Sequence, residues 1–292
     1  MRALNLNQYA TATAQPGLAV ANIVKVLIPL PPLAEQKRIV AKIDEILPYI
    51  DRYEQAWSRL EAFNKRFPSD MQKSLLQMAI QGKLVEQRSE EGNAEELYLE
   101  IQERKRRLIR EGRIKKEKGN FEEFKEDELL FDIPSSWIWV RFGNLMINRD
   151  SERIPLSTAK RSKLDKVYDY YGASGVIDKV DKYLFDKKLL LIGEDGANLL
   201  ARSSPIAYLA QGHYWVNNHA HVLDCDESLL SMEYVMYFIN AISLAKYVTG
   251  TAQPKMNQEK MNSIPVALPP LAEQKRIVAK LEELLPLCER LK

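Results

Sequence analysis

Cysteine is scarce in this chain. Cys225 and Cys288 are the only two in 292 residues and lie 63 positions apart, so neither a disulfide framework nor a CxxC zinc module is available, and a reducing compartment is expected. Both thiols read most simply as small buried hydrophobes. Long apolar runs are also missing. Nothing approaches the roughly 18 residues of a membrane span, and the opening MRALNLNQYATATAQPG has no apolar stretch of the kind a secretory signal needs. A soluble, cytoplasmic protein with no membrane contact is therefore expected. An excess of charge is absent too: 42 Lys and Arg face 40 Asp and Glu, for a net charge of +2. Any grip on nucleic acid must come from local clustering. GxGxxG, GxxxxGK[ST], GxSxG and HExxH do not occur, which removes the main phosphate-cradling, nucleophile-elbow and zinc-hydrolase signatures. Both Pro-Pro pairs sit in LPPL, so the Asp/Asn-Pro-Pro-aromatic tetrad of amino-methyltransferases is absent as well.

What is present is a repeat. Leu30 to Lys42 reads LPPLAEQKRIVAK, and the same thirteen residues recur from Leu268 to Lys280, an offset of 238. The copy extends weakly upstream, where Thr13-Ala14-Gln15-Pro16 matches Thr251-Ala252-Gln253-Pro254. Downstream, Glu45, Leu47, Pro48 and Arg52 match Glu283, Leu285, Pro286 and Arg290. The offset is far longer than the roughly 20–50 residues of a solenoid unit, so the duplication is on the scale of a domain.

Each copy opens a helix. The prolines forbid helix before them, and Ala-Glu-Gln-Lys-Arg is a run of strong helix formers with an acidic residue in the first turn. After the first copy, apolar residues at Ile39, Ile43, Ile46, Ile50, Tyr53, Trp57, Leu60 and Phe67 alternate spacings of four and three, a heptad seam. Asn64 interrupts it, either to fix register or because the seam frays there. The second copy gives Ile277, Leu281, Leu284, Cys288 and Leu291 in the same phase. Pairing the two helices with each other, or with a second copy of the chain, is the simplest way to cover both seams. Pro48 and Pro286 are expected to kink them.

Between the repeats, Ser69 to Gln81 predicts a shorter helix stopped by Gly82, and Ala94 to Lys118 a charged one with Leu97, Ile101 and Leu108 on one face. From Leu99 to Lys118 nine basic residues face four acidic ones, followed by an acidic stretch from Glu122 to Glu128. The basic run fits a solvated face or a phosphate-facing one. From about Phe131 the chain turns to short β-rich runs: Val167–Tyr171, Leu189–Ile192, Ile206–Leu209 and His221–Leu223, punctuated by glycines. Met232 to Val248 predicts one helix among them. The fold class expected is α+β, one mixed α/β domain with long heptad-patterned helices in antiparallel, coiled-coil-like pairing. Its boundaries are a tail at 1–28, helices over 29–120, the mixed domain over 121–265 and a second long helix over 266–292.

No catalytic set and no metal site stand out. His219 and His221 alternate toward one side of a strand, without a third ligand at a plausible spacing, so strand packing explains them better than a metal. Glu194-Asp195, between Gly193 and Gly196, reads as a tight turn rather than a carboxylate dyad. What remains is suited to base edges and phosphates. The segment Arg149–Lys166 carries six basic and three acidic residues, including Arg153, Lys160, Arg161 and Lys163. Tyr170, Tyr171 and Ser174 border a glycine turn, while Asn198, Arg202, Asn217, Asn218, Gln253 and Lys255 flank the β-rich runs. Arg and Lys match guanine acceptors, Asn and Gln match adenine. Each also fits ordinary solvated surface, and Phe131–Pro265 as a whole is neutral, with fifteen basic and fifteen acidic residues.

The repeated Pro-Pro-Leu-Ala-Glu-Gln-Lys-Arg-Ile helix start, with a β-rich domain between its copies, resembles the DNA-specificity subunit of type I restriction-modification systems. Gln81-Gly82-Lys83-Leu84-Val85, the basic helix to Lys118, and Phe131-Asp132-Ile133-Pro134 through Trp137 to Gly143 are similar to that family's central region leading into a target-recognition domain. The resemblance implies double-stranded DNA as target, a non-catalytic role, and partnership with modification (methyltransferase) and restriction subunits, on which S-adenosylmethionine, ATP and Mg are expected; none is expected on this chain. It implies that Glu35, Gln36, Arg38, Ile39, Ile43, Ile46, Ile50, Tyr53, Trp57, Leu60, Ile277, Leu281 and Leu284 lie at subunit interfaces. A full subunit of the family has two recognition domains, whereas only the tail of a first, about Met1 to Ile28, precedes the first repeat here. A half subunit is therefore expected, one that pairs about a two-fold axis as a homodimer to read two inverted half-sites. A first helix of about 35 residues reaches roughly 50 Å, enough to set two readers one or more DNA turns apart. The rival reading is a structural adaptor, a coiled-coil dimer whose β-rich domain binds protein; an enzyme with an unrecognised active site is a third.

Overall fold

The computed structural model describes residues 19–24, 26–115, 124–125, 128–250 and 252–291. Most of the expected 1–28 tail lies outside the described residues, as do Thr251 and much of the acidic stretch after Asn120. The chain divides into two compact units, residues 1–64 and 65–292. Its architecture is α+β.

The first unit holds a short helix α1 (Val20–Ile23), an extended stretch over 26–32, and the start of α2 (Leu33–Ile80). Proline at both positions before Leu33 rules out a Ser or Asp cap. Gln36 takes over, donating from its side-chain amide to the Pro31 carbonyl at 2.8 Å. The helix runs unbroken through Pro48 and Pro68 to Ile80, so the separate helix expected from Ser69 does not exist. A mid-helix proline costs about 3 kcal/mol. That cost is offset around Pro68 because the following turns bury Ala79 and Ile80 and press Leu75 and Leu76 onto the core of the second unit.

In the second unit α2 stops at glycine. Gly82 takes a left-handed φ of +68°, and Lys83 N–H donates to the Met78 carbonyl at 2.8 Å, closing the last turn. A Cβ at Gly82 would run into the ring of Pro134, so no other residue fits. Helix α3 (Ala94–Arg110) starts where Asn93 accepts the Glu96 N–H at 3.1 Å. It ends before Lys118, contrary to the sequence expectation, because Gly112 adopts φ +67° and Arg113 N–H bonds back to Leu108 at 2.9 Å. Within it Ile101 is buried and Leu97 is partly buried against the core.

The body follows as β1 (Ile138–Arg141), α4 (Phe142–Leu145), β2 (Ile147–Asn148), α5 (Thr158–Arg161), β3 (Tyr168–Gly172), β4 (Gly175–Val180) and β5 (Leu189–Gly193). Then come α6 (Asn198–Ala201), β6 (Ala207–Ala210), β7 (Tyr214–Val216), β8 (Ala220–Asp224), α7 (Met232–Ala241), α8 (Gln258–Asn262), β9 (Pro265–Leu268) and α9 (Leu271–Glu289). The strands form an antiparallel sheet β2-β8-β5-β6, a second sheet β4-β3-β7 in which β3 and β7 are parallel, and the pair β1-β9. Strand β5 is apolar without interruption because both its faces are covered. Leu190 and Ile192 pack toward the larger core with α7, while Leu189 and Leu191 face a smaller cluster with Phe185, Tyr214 and Val216. Each such burial contributes about 1.5–3 kcal/mol.

Two further expectations change here. Helix α7 ends at Ala241 rather than Val248, because Ile242 turns extended and Arg202 takes up the carbonyls left open there. In α9, Ile277 and Leu281 are fully buried in the larger core and Leu284 is half-buried. The interface expected at Ile277 and Leu281 is thus spent inside their own unit: the heptad phase and the inward face of a core helix share one spacing, and here the second applies. Helix α9 also meets the second-unit part of α2 where Gln72 donates to Glu289 at 3.1 Å.

Candidate nucleic-acid interface

The turn after β5, the segment after β2, strand β8 and the segment before α8 meet around one carboxylate. Glu194 accepts from Arg153 at 2.8 Å, pairs with Lys255 at 3.1 Å and lies 3.9 Å from the His221 ring. Burial alone would favour its neutral form, but Arg153, His221 and Lys255 outweigh it and hold the carboxyl below its usual range. His221 is buried, with Nδ1 2.6 Å from Asp150 and Nε2 2.9 Å from the Met256 carbonyl. A carbonyl can only accept, so Nε2 carries hydrogen. Asp150 is likewise held low despite its burial, first by the His221 hydrogen bond and then by Arg153, and its other oxygen accepts Val222 N–H at 2.8 Å. This network pins the loop at 149–153, the turn after β5 and the segment at 253–256 to one another.

On that base the chain presents its turns. The β3–β4 hairpin tip at Ser174 comes close to the end of β5, since a Cβ on Gly193 would stand 2.7 Å from the Ala173 carbonyl. Asn217 N–H donates to Tyr171, and its side chain accepts His219 N–H at 2.8 Å, shaping the β7–β8 turn. The Asp195 side chain pairs with exposed His219 at 2.7 Å, and its backbone forms an antiparallel β-bridge with that of Lys255. The structure thus brings Arg153, Tyr171, Ser174, Asn217, Asn218 and Lys255 to one end of the body. Of these, Ser174, Asn218 and Lys255 are exposed, as is Gln253 close by, while Arg153 and Asn217 are committed to internal contacts.

Other sequence candidates fall elsewhere. Lys160 and Lys163 are exposed on and just after α5, which packs against β4. Arg161 on that helix is tied down by Asp178 at 2.9 Å, the Leu156 carbonyl and the Tyr170 ring 4.7 Å away. Tyr170 is a core residue whose hydroxyl accepts Leu156 N–H at 2.9 Å. Asn198 organises its own turn by accepting from Ser203 and Ser204. Arg202 has a left-handed φ of 52° and donates to the carbonyls of Ile239 and Ile242 at 2.8 and 2.6 Å, so it caps α7 rather than facing outward. The two histidines do not share a strand face, since His219 sits in the turn before β8 and only His221 lies in the strand. Among the described residues, no group of three or more His, Cys, Asp or Glu could hold a metal ion.

The basic run of α3 is divided in the same way. Lys105 is turned inward onto the Gly143 and Met146 carbonyls at 2.7 and 2.6 Å, Arg104 pairs with Asp226 at 2.8 Å, and Arg106 and Arg110 remain exposed. Sequence reasoning missed the exposed apolar pair Val176 and Ile177 beside the hairpin tip, and the Tyr168, Tyr183 and His213 rings that meet at 4.2–6.0 Å. Val176 and Ile177 are consecutive, so strand alternation would have exposed only one of them; the ring cluster joins residues from three separate segments and left no local signal.

The sequence model described as "Type I restriction modification DNA specificity domain" matches residues 142–291. The specificity subunits of the type I restriction enzymes EcoEI and EcoAI of Escherichia coli are 25% and 24% identical, each over 324 aligned positions covering 91% of this chain. The chain spans 54% of the length of each of these relatives. Among solved structures, the HsdS subunit of Thermoanaerobacter tengcongensis is 19% identical, with a TM-score of 0.42, 98% of this chain covered and 59% of that one.

Proposed function

The chain belongs to the type I restriction-modification DNA specificity family, and from that premise we propose that it is the part of such a complex that reads duplex DNA and supplies no chemistry of its own. The observation that carries the reading is the gathering of exposed Ser174, Asn218, Gln253 and Lys255 at one end of the body, over a base fixed by Glu194, Asp150 and His221. Rigid support under short polar turns is what base-edge readout requires, and Lys160 and Lys163 add charge for phosphates.

Modification and restriction subunits are the partners in this reading. S-adenosylmethionine, ATP and Mg sit on those subunits, and the modification subunit methylates adenine. Two copies of the chain pair through the exposed seam of Ile46, Ile50, Tyr53, Trp57 and Leu60 to read a two-part, inverted site. Cytoplasmic location follows from the same assembly. Co-purification with the cognate modification subunit, followed by mapping of methylated adenines, tests the proposal. It expects methylation confined to one symmetric two-part sequence and dependent on this chain; methylation unchanged without the chain rejects it.

A further inference from the structure

The β3–β4 hairpin carries two bare apolar side chains, and a bulge puts them there. Tyr170 faces Asp178 and Tyr171 faces Val176, so Ile177 is an extra residue without a partner on β3. Consecutive side chains of a regular strand point to opposite faces, whereas a bulge breaks that alternation and re-aims a side chain. Val176 and Ile177 are both exposed in consequence, at 49% and 53%. The rest of β4, an edge strand, is covered or charged. Asp178 accepts from Arg161 and Lys166 at 2.9 and 2.8 Å, Lys166 also reaches the Lys179 carbonyl, and Val180 is fully buried.

The bare pair lies at the reading end of the body. A Cβ on Gly172 would stand 2.9 Å from Ile177 Cδ1 and 3.4 Å from Asn217 Nδ2. The isoleucine thus lies across the opposite strand where glycine leaves room, next to the β7–β8 turn that carries exposed Asn218, and two residues from the hairpin tip at Ser174. Both side chains are β-branched and stiff at χ1, so the patch they form has a fixed shape.

Beside polar turns that suit the donors and acceptors of base edges, an apolar patch suits the one apolar group those edges present. In the major groove that group is the C5 methyl of thymine, and the same groove admits a two-stranded β-ribbon. Apolar side chains that enter the minor groove work differently, as wedges inserted between base steps. Ile177 keeps about half of its surface against its own hairpin, which fits packing on a base edge and not insertion between bases. We infer that Val176 and Ile177 are specificity-determining residues that pack against the C5 methyl of a thymine in the major groove. This role rests on the DNA reading proposed above and adds which base the hairpin selects.

The test uses the full chain in complex with its modification subunit, on duplexes carrying the methylated sequence. Replacing each thymine in turn by uracil deletes the C5 methyl and leaves base pairing unchanged. For wild type, at least one such replacement is expected to weaken binding about fourfold, the affinity worth of one buried methylene. With Val176→Ala and Ile177→Ala combined, the thymine duplex should bind about fourfold or more weakly, and uracil at that position should have no further effect. Both side chains being exposed, this variant is expected to melt with wild type; if it melts lower, Ile177→Val trims a single methyl group and should give the same coupling at smaller amplitude. Specific binding that no uracil replacement weakens, or a uracil effect that the variant keeps in full, overturns the thymine contact and leaves the DNA reading standing. A variant that instead loses the modification subunit, with its uracil response intact, marks the pair as a protein contact and overturns it as well. Absence of specific duplex binding by the wild-type complex overturns both.

Discussion

Gln36 and Gln274 stand 238 residues apart and each donates to the carbonyl of the proline five positions earlier, at 2.8 and 2.9 Å, yet Gln274 is buried and Gln36 is only half so. Local sequence therefore sets the cap, and tertiary surroundings set what the cap is worth. The neighbouring glutamates turn that contrast into a measurement. Glu273→Ala leaves the Trp137 indole N–H and the Gln87 amide without their acceptor and is expected to cost about 1–3 kcal/mol. Glu35→Ala, at the same motif position, is expected within about 0.5 kcal/mol of wild type. Urea denaturation of the two variants checks both, and equal losses would contradict the assignment.

Gly82→Ala is expected to destabilise the second unit by about 2 kcal/mol or more. It forces a Cβ into left-handed backbone and against Pro134, at the joint where α2 leaves the core. Thermal unfolding followed by far-ultraviolet dichroism reads the loss; a melting temperature equal to wild type refutes the close approach.

Asp150 and Glu194 both have folded-state pKa values below their ordinary 3.8 and 4.5. A depressed carboxyl stabilises the fold above its unfolded value, and the gain is lost as pH falls toward its folded value. Melting temperature should therefore begin to fall near pH 4.5 and drop more steeply below 3.8. Asp150→Asn should be less stable at neutral pH and flatter across that window. An acid limb of unchanged slope in the variant would place the sensitivity elsewhere.

Arg202→Ala separates structure from readout. Removing the guanidinium uncaps α7 and is expected to cost about 2 kcal/mol, the range for a hydrogen bond to a charged group, while leaving the salt dependence of DNA binding unchanged. A shallower salt slope without loss of stability would restore Arg202 as a phosphate contact.

Much of the fold was legible from the sequence. The LPPL helix starts, the short β-rich runs at Leu189 and His221, and the α+β class all follow from patterns within a few residues. The errors at α7 and α9 share one physical origin, the long-range partner that a local pattern does not contain, whereas α3 ends early on a local one, the left-handed Gly112. Ile277 and Leu281 kept heptad spacing while belonging to a core. The helix from Met232 stopped early where an arginine forty residues upstream was waiting for its carbonyls. At the site, residue type alone marked Arg153, Arg161, Tyr170, Asn217 and Arg202 as readers, and the structure gives each an internal partner. Lys160, Lys163, Ser174, Asn218, Gln253 and Lys255 remain on the surface because nothing inside the molecule claims them so fully.

In the proposed function these exposed side chains face a nucleic acid. Affinity for duplex DNA, measured across a salt series for wild type and for the Lys160→Ala, Lys163→Ala and Lys255→Ala triple variant, addresses it most directly. The variant is expected to bind more weakly, with a salt slope shallower by about 0.9 for each phosphate contact removed. Binding of equal strength and equal slope in the triple variant would contradict it.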